Sequence, residues 1–222
     1  MGERALVYRG PAACKGCSEA VGTLLESSRW GFEVEYVGPK ERLKISDATL
    51  RSAELYVQPG GGKSLTRAYQ QMKNSAAVIR NYTRSGGHYL GICMGGYLAG
   101  TWHGFGLLPD DTDQFITSPG ASVTTAMDTI VEVDWSGHHR YMFFQDGPIF
   151  RLRSPTSEVI VLARYASNGE VAALVAPFGR GRVGVCGPHP EAPEEWYRAH
   201  KLVNPHGISP HLGHDLINAL MQ

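Results

Sequence analysis

The sequence has little of what marks a secreted, membrane-embedded or nucleic-acid-binding protein. Its 222 residues include only four cysteines, too few and too unevenly spaced for a disulfide framework, so we expect reduced thiols. No window approaches the roughly 20 apolar residues of a membrane helix. The 21 basic and 21 acidic residues balance, which argues against nucleic acid or anionic membrane as a partner. We therefore predict a cytoplasmic protein whose partner is a small molecule or another protein.

The sequence also lacks internal repeats, low-complexity stretches and a composition change that would mark a linker. A chain of this length can bury one sizeable core. We expect a single domain over residues 1–222.

Strands and helices alternate in the first half of the chain. The strand-like runs are ALVY, FEVEYV, LYV and HYLGI. Helical spacing follows in SEAVGTLLESS and in the long segment SLTRAYQQMKNSAAVIRNYTR, which ends at Gly86-Gly87. This alternation predicts a flavodoxin-like, doubly wound, mostly parallel sheet of the α/β class.

The second half has a different pattern, with strands separated by short turns. These strands are TIVEVDW, YMFFQ, EVIVLARYA, EVAALVAPF and RVGVC. Asn168-Gly169 and Gly179-Arg180-Gly181 are typical hairpin turns. The pattern predicts an antiparallel extension of the sheet, followed by two helices in EEWYRAHKL and HDLINALMQ.

The sharpest local signal is a G-x-C-x-G segment centred on Cys93, between an apolar strand and a small-residue helix. Such a segment is typical of a nucleophile elbow, in which glycines on either side of the nucleophile remove Cβ atoms that would clash. The start of the helix directs free N–H groups at the sulfur, which favours the thiolate. The alternative is a buried cysteine in a glycine-rich packing contact.

A histidine and a carboxylate follow the last strand, in Gly187-Pro188-His189-Pro190-Glu191. Open α/β sheets place their sites at the carboxyl ends of strands, so His189 should lie at the same edge as Cys93. Glu191 can fix the tautomer of the histidine ring, as the third member of a catalytic triad does. The alternative is an ordinary loop histidine beside a solvated glutamate.

Three successive glycines, Gly60, Gly61 and Gly62, follow the strand LYV. Their backbone N–H groups, with that of Met94, could hold a tetrahedral oxyanion. A plain flexible turn is the alternative. A phosphate-binding P-loop is excluded because its first glycine would fall on Val57, inside the strand.

Other candidate residues carry weaker signals. Cys14 and Cys17 form a C-x-x-C pair, a spacing used by redox pairs and by half of a zinc site. The sequence has no second C-x-x-C or well-spaced histidine pair to complete a zinc site, and a redox pair is the better alternative because the end of the first strand lies at the active-site edge. We nevertheless expect two adjacent loop thiols with no catalytic role, no metal site and no cofactor. Asp146 in QDGP is a possible residue at the edge of the site, although Asp-Gly-Pro first of all predicts a turn.

The glycine-rich strand end, the G-x-C-x-G elbow and the late H-P-E segment resemble, in this order, the class I glutamine amidotransferase superfamily. The segments LVYRGP, VQPGGG, GICMGGYLAG, FFQDGPIF and FGRGRVGVCGPHPE are more narrowly similar to the N-terminal domain of biotin-protein ligases and to stand-alone bacterial proteins like it. The resemblance covers nearly the whole chain. It implies a Cys93–His189–Glu191 triad and an oxyanion site formed by the three glycines and Met94.

Two departures bear on activity. Glutamine-hydrolysing relatives carry glutamine four residues after the cysteine, where this chain has Tyr97. No synthetase domain is recognisable in the sequence to consume released ammonia. The first hypothesis is therefore a cysteine hydrolase or amidotransferase acting on an amide or acyl compound other than free glutamine. The alternative is a binding or regulatory module that keeps the shape of the site without turnover.

Overall fold

The sheet of this protein has the mixed architecture that the two halves of the sequence predict. The computed structural model describes residues 2–152 and 157–222. The strands within these ranges are β1 (Arg4–Tyr8), β2 (Glu33–Val37), β3 (Leu55–Gln58), β4 (His88–Ile92), β5 (Thr112–Gln114), β6 (Thr129–Trp135), β7 (His138–Phe144), β8 (Pro148–Phe150), β9 (Ile160–Tyr165), β10 (Val171–Phe178) and β11 (Gly181–Cys186). The helices are α1 (Cys17–Glu26), α2 (Asp47–Leu50), α3 (Leu65–Met72), α4 (Ala76–Arg84), α5 (Met94–Ala99), α6 (Glu194–Ala199) and α7 (Pro210–Met221).

Within the described residues, nine strands form one sheet in the order β2-β1-β3-β4-β11-β10-β9-β6-β7. The first five of these strands are mutually parallel, and the other four are antiparallel to their neighbours. The turns at Gly169 and Gly179 have positive φ, which glycine adopts without steric cost. The predicted fold class, an α/β flavodoxin-like sheet with an antiparallel extension, is confirmed.

Helices cover both faces of the sheet because its central strands are apolar on both sides. On one face, Val21 and Leu25 of α1 pack in a buried cluster with Leu216 of α7. On the other face, Ile79 of α4 and Leu98 of α5 belong to a second cluster. Among the described residues, no helix combines the length and the apolar character that a membrane span requires.

The long helix expected over residues 64–84 is instead two helices, α3 and α4. The chain leaves α3 after Met72, and Ser75 is the N-cap of α4. Asn74 and Ser75 are poor residues for a helix interior, since their side chains compete for backbone groups. The amphipathic spacing of apolar residues continues from α3 into α4, so the sequence pattern did not indicate the break between them. Two short elements, α2 and the β5–β8 pair, also escaped the sequence analysis.

Candidate active site

Three neighbouring parallel strands end at one edge of the sheet and place the candidate residues there. Gln58 at the end of β3 pairs with Gly91 of β4, and Cys186 at the end of β11 pairs with Ile92. The amide of Cys93 continues the ladder by donating to the carbonyl oxygen of Cys186 at 2.8 Å. The segments that leave these strands therefore start side by side.

Cys93 lies in a sharp turn between β4 and α5. Its φ is 51° and its ψ −106°, in a region that non-glycine residues rarely occupy and that is found most often at functional sites. A Cβ on Gly95 would run into the carbonyl of Gln58, and one on Gly91 would run into the backbone of Gly95. The close approach of these backbone segments explains the glycines on both sides of the cysteine.

His189 and Glu191 lie within the buried end of this edge. The Nδ1 atom of His189 is 2.8 Å from a carboxylate oxygen of Glu191, whose side chain is 0% exposed. The other carboxylate oxygen has no hydrogen-bond partner within the described residues. A buried carboxylate is costly unless a cation or donors compensate it, so Glu191 favours a protonated His189.

The His189 ring also interacts electrostatically with Cys93. Burial by itself would lower the pKa of His189, but the charges of Glu191 and Cys93 and the hydrogen bonds to both raise this pKa well above its usual range. The Cys93 sulfur also lies 3.5 Å from the carbonyl oxygen of Gln145. Cys93, His189 and Glu191 thus lie at one edge of the sheet, and Glu191 is hydrogen-bonded to the His189 ring.

Gly60 and Gly61, the first two of the three glycines after β3, pack directly against these groups. A Cβ on Gly60 would lie 2.8 Å from Cε1 of His189, and one on Gly61 would lie 2.7 Å from Cγ of Met94. Neither Gly61 nor Met94 donates its amide to another backbone group within the described residues. These amides are available to an anionic oxygen.

A cavity of about 230 Å³ opens beside the Cys93 sulfur. It is lined by Gly61, Gly62, Lys63, Leu65, Cys93, Met94, Tyr97, Trp102, Asp111, Thr112, Asp113, Gln114, Ala126, Gln145 and Asp146. Tyr97 is 7% exposed, and its hydroxyl has no hydrogen-bond partner within the described residues. Burial, together with the charges of Asp146 and Cys93, raises the pKa of Tyr97 far above its usual range, so this phenol stays neutral.

The carboxylates that line the cavity differ in how they are compensated. Asp111 accepts hydrogen bonds from the amides of Thr101 and Thr112, and Asp113 forms an ion pair with Arg151 at 2.9 Å. Asp146, which has a φ of 47°, accepts from Nε2 of Gln114 at 3.1 Å. No cationic side chain of the described residues forms an ion pair with it. Burial raises the pKa of Asp146, while the bond from Gln114 opposes this shift.

The C-x-x-C pair differs from the expected pair of reduced loop thiols. Cys14 and Cys17 are joined by a disulfide, with their Cα atoms 5.4 Å apart. Cys17 is the first residue of α1 and is buried, so only Cys14 lies in a loop. The C-x-x-C spacing is compatible with this disulfide. Cys17 is the buried member of the pair because α1 begins at this residue. No group of three or more His, Cys, Asp or Glu side chains in residues 2–152 and 157–222 is placed to hold a metal ion.

Several cavity residues were missed by the sequence analysis. Gln114 reaches Asp146 from the three-residue strand β5, which is too short to show a periodic pattern. Trp102 and Lys63 follow structured elements without a recognisable motif. In the sequence, only the FFQDGP segment indicated a residue at this part of the cavity, Asp146, and it did not indicate the hydrogen-bond partner Gln114.

Comparison with known proteins supports the resemblance seen in the motifs. Residues 3–109 match the family model described as biotin-protein ligase, N terminal. A biotin-protein ligase from Schizosaccharomyces pombe is 26% identical over 216 residues, covering 84% of this chain. The chain spans 33% of the length of that ligase, so the similarity concerns one part of it. The predicted resemblance to the biotin-protein ligase N-terminal domain is confirmed.

Solved structures with the same fold include two from Thermotoga maritima. A chain from a structure of PurLQS is 21% identical, with a TM-score of 0.64 and coverage of 100% of this chain and 98% of that one. A glutamine amidotransferase is 16% identical, with a TM-score of 0.65 and coverage of 100% and 99%. At these identities the likeness concerns the fold, which is that of glutamine amidotransferases.

Proposed function

We propose, from the match of residues 3–109 to the biotin-protein ligase N-terminal family model, that the protein is a cysteine hydrolase or acyltransferase acting on a small amide or related acyl compound. The observation that carries the proposal is the buried 2.8 Å hydrogen bond between His189 and Glu191, at the same sheet edge where Cys93 stands in its strained turn. A thiolate beside an imidazolium is the activated form of a cysteine nucleophile.

The proposed reaction begins with attack of the Cys93 thiolate on the carbonyl carbon of the substrate. The amides of Gly61 and Met94 stabilise the resulting oxyanion. His189 donates its proton to the leaving amine, the carbon–nitrogen bond breaks, and a thioester forms. Water then gives a proton to His189 and attacks the thioester, which releases the acid and restores the thiolate.

The size and charge of the cavity suggest the kind of substrate. A volume of about 230 Å³ suits a small molecule better than a folded protein segment. Asp146 is a partly buried carboxylate without a cationic partner in the described residues, so a substrate ammonium or guanidinium group would compensate it. We therefore propose an acyl substrate with a cationic group. This substrate is not free glutamine, because Tyr97 stands where the glutamine-hydrolysing relatives carry glutamine.

The first experiment measures alkylation of each cysteine by iodoacetamide against pH, resolved by mass spectrometry. Cys93 should label fastest, and His189→Ala should slow its labelling near neutral pH because the imidazolium beside the sulfur is lost. Glu191→Gln should have a smaller effect, since Glu191 acts through the ring. If His189→Ala leaves the profile of Cys93 unchanged, a binding module without turnover replaces the hydrolase.

The second experiment tests the substrate class. Nitrophenyl esters of 6-aminohexanoate, hexanoate and adipate have acyl chains of similar length and differ in terminal charge. The cationic ester should be hydrolysed with the highest kcat/KM, and Asp146→Asn should reduce that preference about tenfold or more, as expected for loss of a charged hydrogen bond. Asp113→Asn is the matched control, because Arg151 already compensates Asp113. Equal losses in both variants would contradict the assignment to Asp146.

A further inference from the structure

The C-x-x-C pair lies against the candidate active site, although the proposed hydrolysis makes no use of it. A Cβ built on Gly60 would be 3.3 Å from Sγ of Cys17 and 2.8 Å from Cε1 of His189. The sulfur and the imidazole therefore pack against the same face of Gly60.

Backbone contacts tie the loop of the pair to the same segment. The amide of Cys14 donates to the carbonyl oxygen of Gly60 at 2.9 Å. A Cβ on Gly61 would lie 2.6 Å from the carbonyl oxygen of Ala12. The loop between β1 and α1 thus supports the candidate oxyanion segment from behind.

The two cysteines differ in their access to solvent. Cys14 is partly exposed and borders a surface groove of about 550 Å³ that Lys15 and the Arg9–Glu19 ion pair also line. Cys17 is 1% exposed and starts the ten-residue helix α1. In a C-x-x-C pair, an accessible thiol can begin exchange, and an enclosed thiol close by can complete it.

We propose that Cys14 and Cys17 form a redox-active thiol site that exchanges with low-molecular-weight thiols and disulfides, and whose state sets the positions of Gly60 and His189. In the oxidising direction, the Cys14 thiolate attacks a small disulfide, forming a mixed disulfide and releasing one small thiol. The Cys17 thiolate then attacks the Cys14 sulfur and releases the second small thiol. The protein loses two electrons and two protons, and the small disulfide gains them.

The coupling to the active site follows from burial. When the disulfide is reduced, the two sulfurs separate to a nonbonded distance and the loop loses its covalent constraint. Cys17 is enclosed against Gly60, so its displacement acts on Gly60 and on the ring of His189. The disulfide state, in which Gly60 and His189 have the positions described above, is therefore the state with the more reactive Cys93.

The exchange is tested with the full chain in buffers of reduced and oxidised glutathione, quenched with acid and analysed by mass spectrometry. The Cys14–Cys17 bond should form and break reversibly with the glutathione ratio. A Cys17→Ser variant should trap a glutathione mixed disulfide on Cys14, whereas Cys14→Ser should trap little on buried Cys17. A pair that stays in one state at every ratio, or a mixed disulfide that forms on Cys17 instead, would overturn the proposal.

The coupling is tested by the rate of Cys93 labelling before and after reduction with a phosphine that is removed before iodoacetamide is added. Reduction should slow Cys93 labelling about 3- to 10-fold, less than the roughly 100-fold that a misplacement of about 1 Å can cause. The Cys14→Ser, Cys17→Ser double variant should label at the slow rate with or without the phosphine. Equal rates in both states of the unmodified chain would overturn the coupling, whereas slow labelling of Cys93 in every state would count against the proposed hydrolase instead.

Discussion

The packing of Gly60 against His189 gives a sharp test of the candidate site. An alanine Cβ at position 60 would lie 2.8 Å from Cε1 of His189. Carbon atoms pack at about 3.5–4.0 Å, so the ring or the loop must move by roughly 1 Å. The ring is held by Glu191 at 2.8 Å and by its contact with Cys93, and a displacement of this size disturbs both.

The Gly60→Ala variant should therefore lose reactivity more than stability. A misplacement of about 1 Å at a reacting group can reduce rates by about 100-fold, so we expect Cys93 to be labelled at pH 7 about 10- to 100-fold more slowly. Overpacking of a buried site costs about 1–3 kcal/mol, which lowers the melting temperature by about 2–4 °C per kcal/mol in a chain of this size.

Gly62→Ala is the matched control within the same glycine segment. A Cβ on Gly62 meets no atom within 4 Å, and neither Gly60 nor Gly62 has a positive φ. The two variants therefore differ in the contact and not in backbone strain. The position of His189 against this segment is wrong if Cys93 is labelled at rates within about twofold of each other in Gly60→Ala and Gly62→Ala and both variants melt at the same temperature.

Three further predictions follow from the burial of single side chains. Burial raises the pKa of Cys186 well above its usual range, so its thiol should stay unlabelled by iodoacetamide at pH 9 in the folded chain, and labelling there would contradict its position. Free glutamine should be turned over far below the enzymatic median of about 10 per second, measured as ammonia release, and Tyr97→Gln should increase that release. The preference for cationic esters should decrease as pH falls, because Asp146 loses its carboxylate charge below its pKa. Since burial raises this pKa, the decrease should begin at a pH above the usual aspartate pKa of about 3.9. A pH series of kcat/KM for the cationic and neutral esters measures this.

The sequence by itself was sufficient for the order of the strands along the chain, the turns at Gly169 and Gly179, and the elbow at Cys93. These features depend on local chemistry: the side-chain period of a strand, the positive φ that glycine permits, and the glycines that a tight strand-to-helix turn requires. Local spacing also placed Glu191 within reach of the His189 ring, two residues away.

Only the tertiary structure decided which distant segments meet. Residues of β3, β4 and β11 are far apart in sequence, and their strand ends share one edge because the sheet pairs them in parallel. The contact of Cys17 with Gly60 arises from the packing of α1, and the bond from Gln114 to Asp146 arises from the pairing of β5 with β8. Such contacts carry no local periodicity, because the close approach of backbones and the burial of side chains are properties of the assembled core.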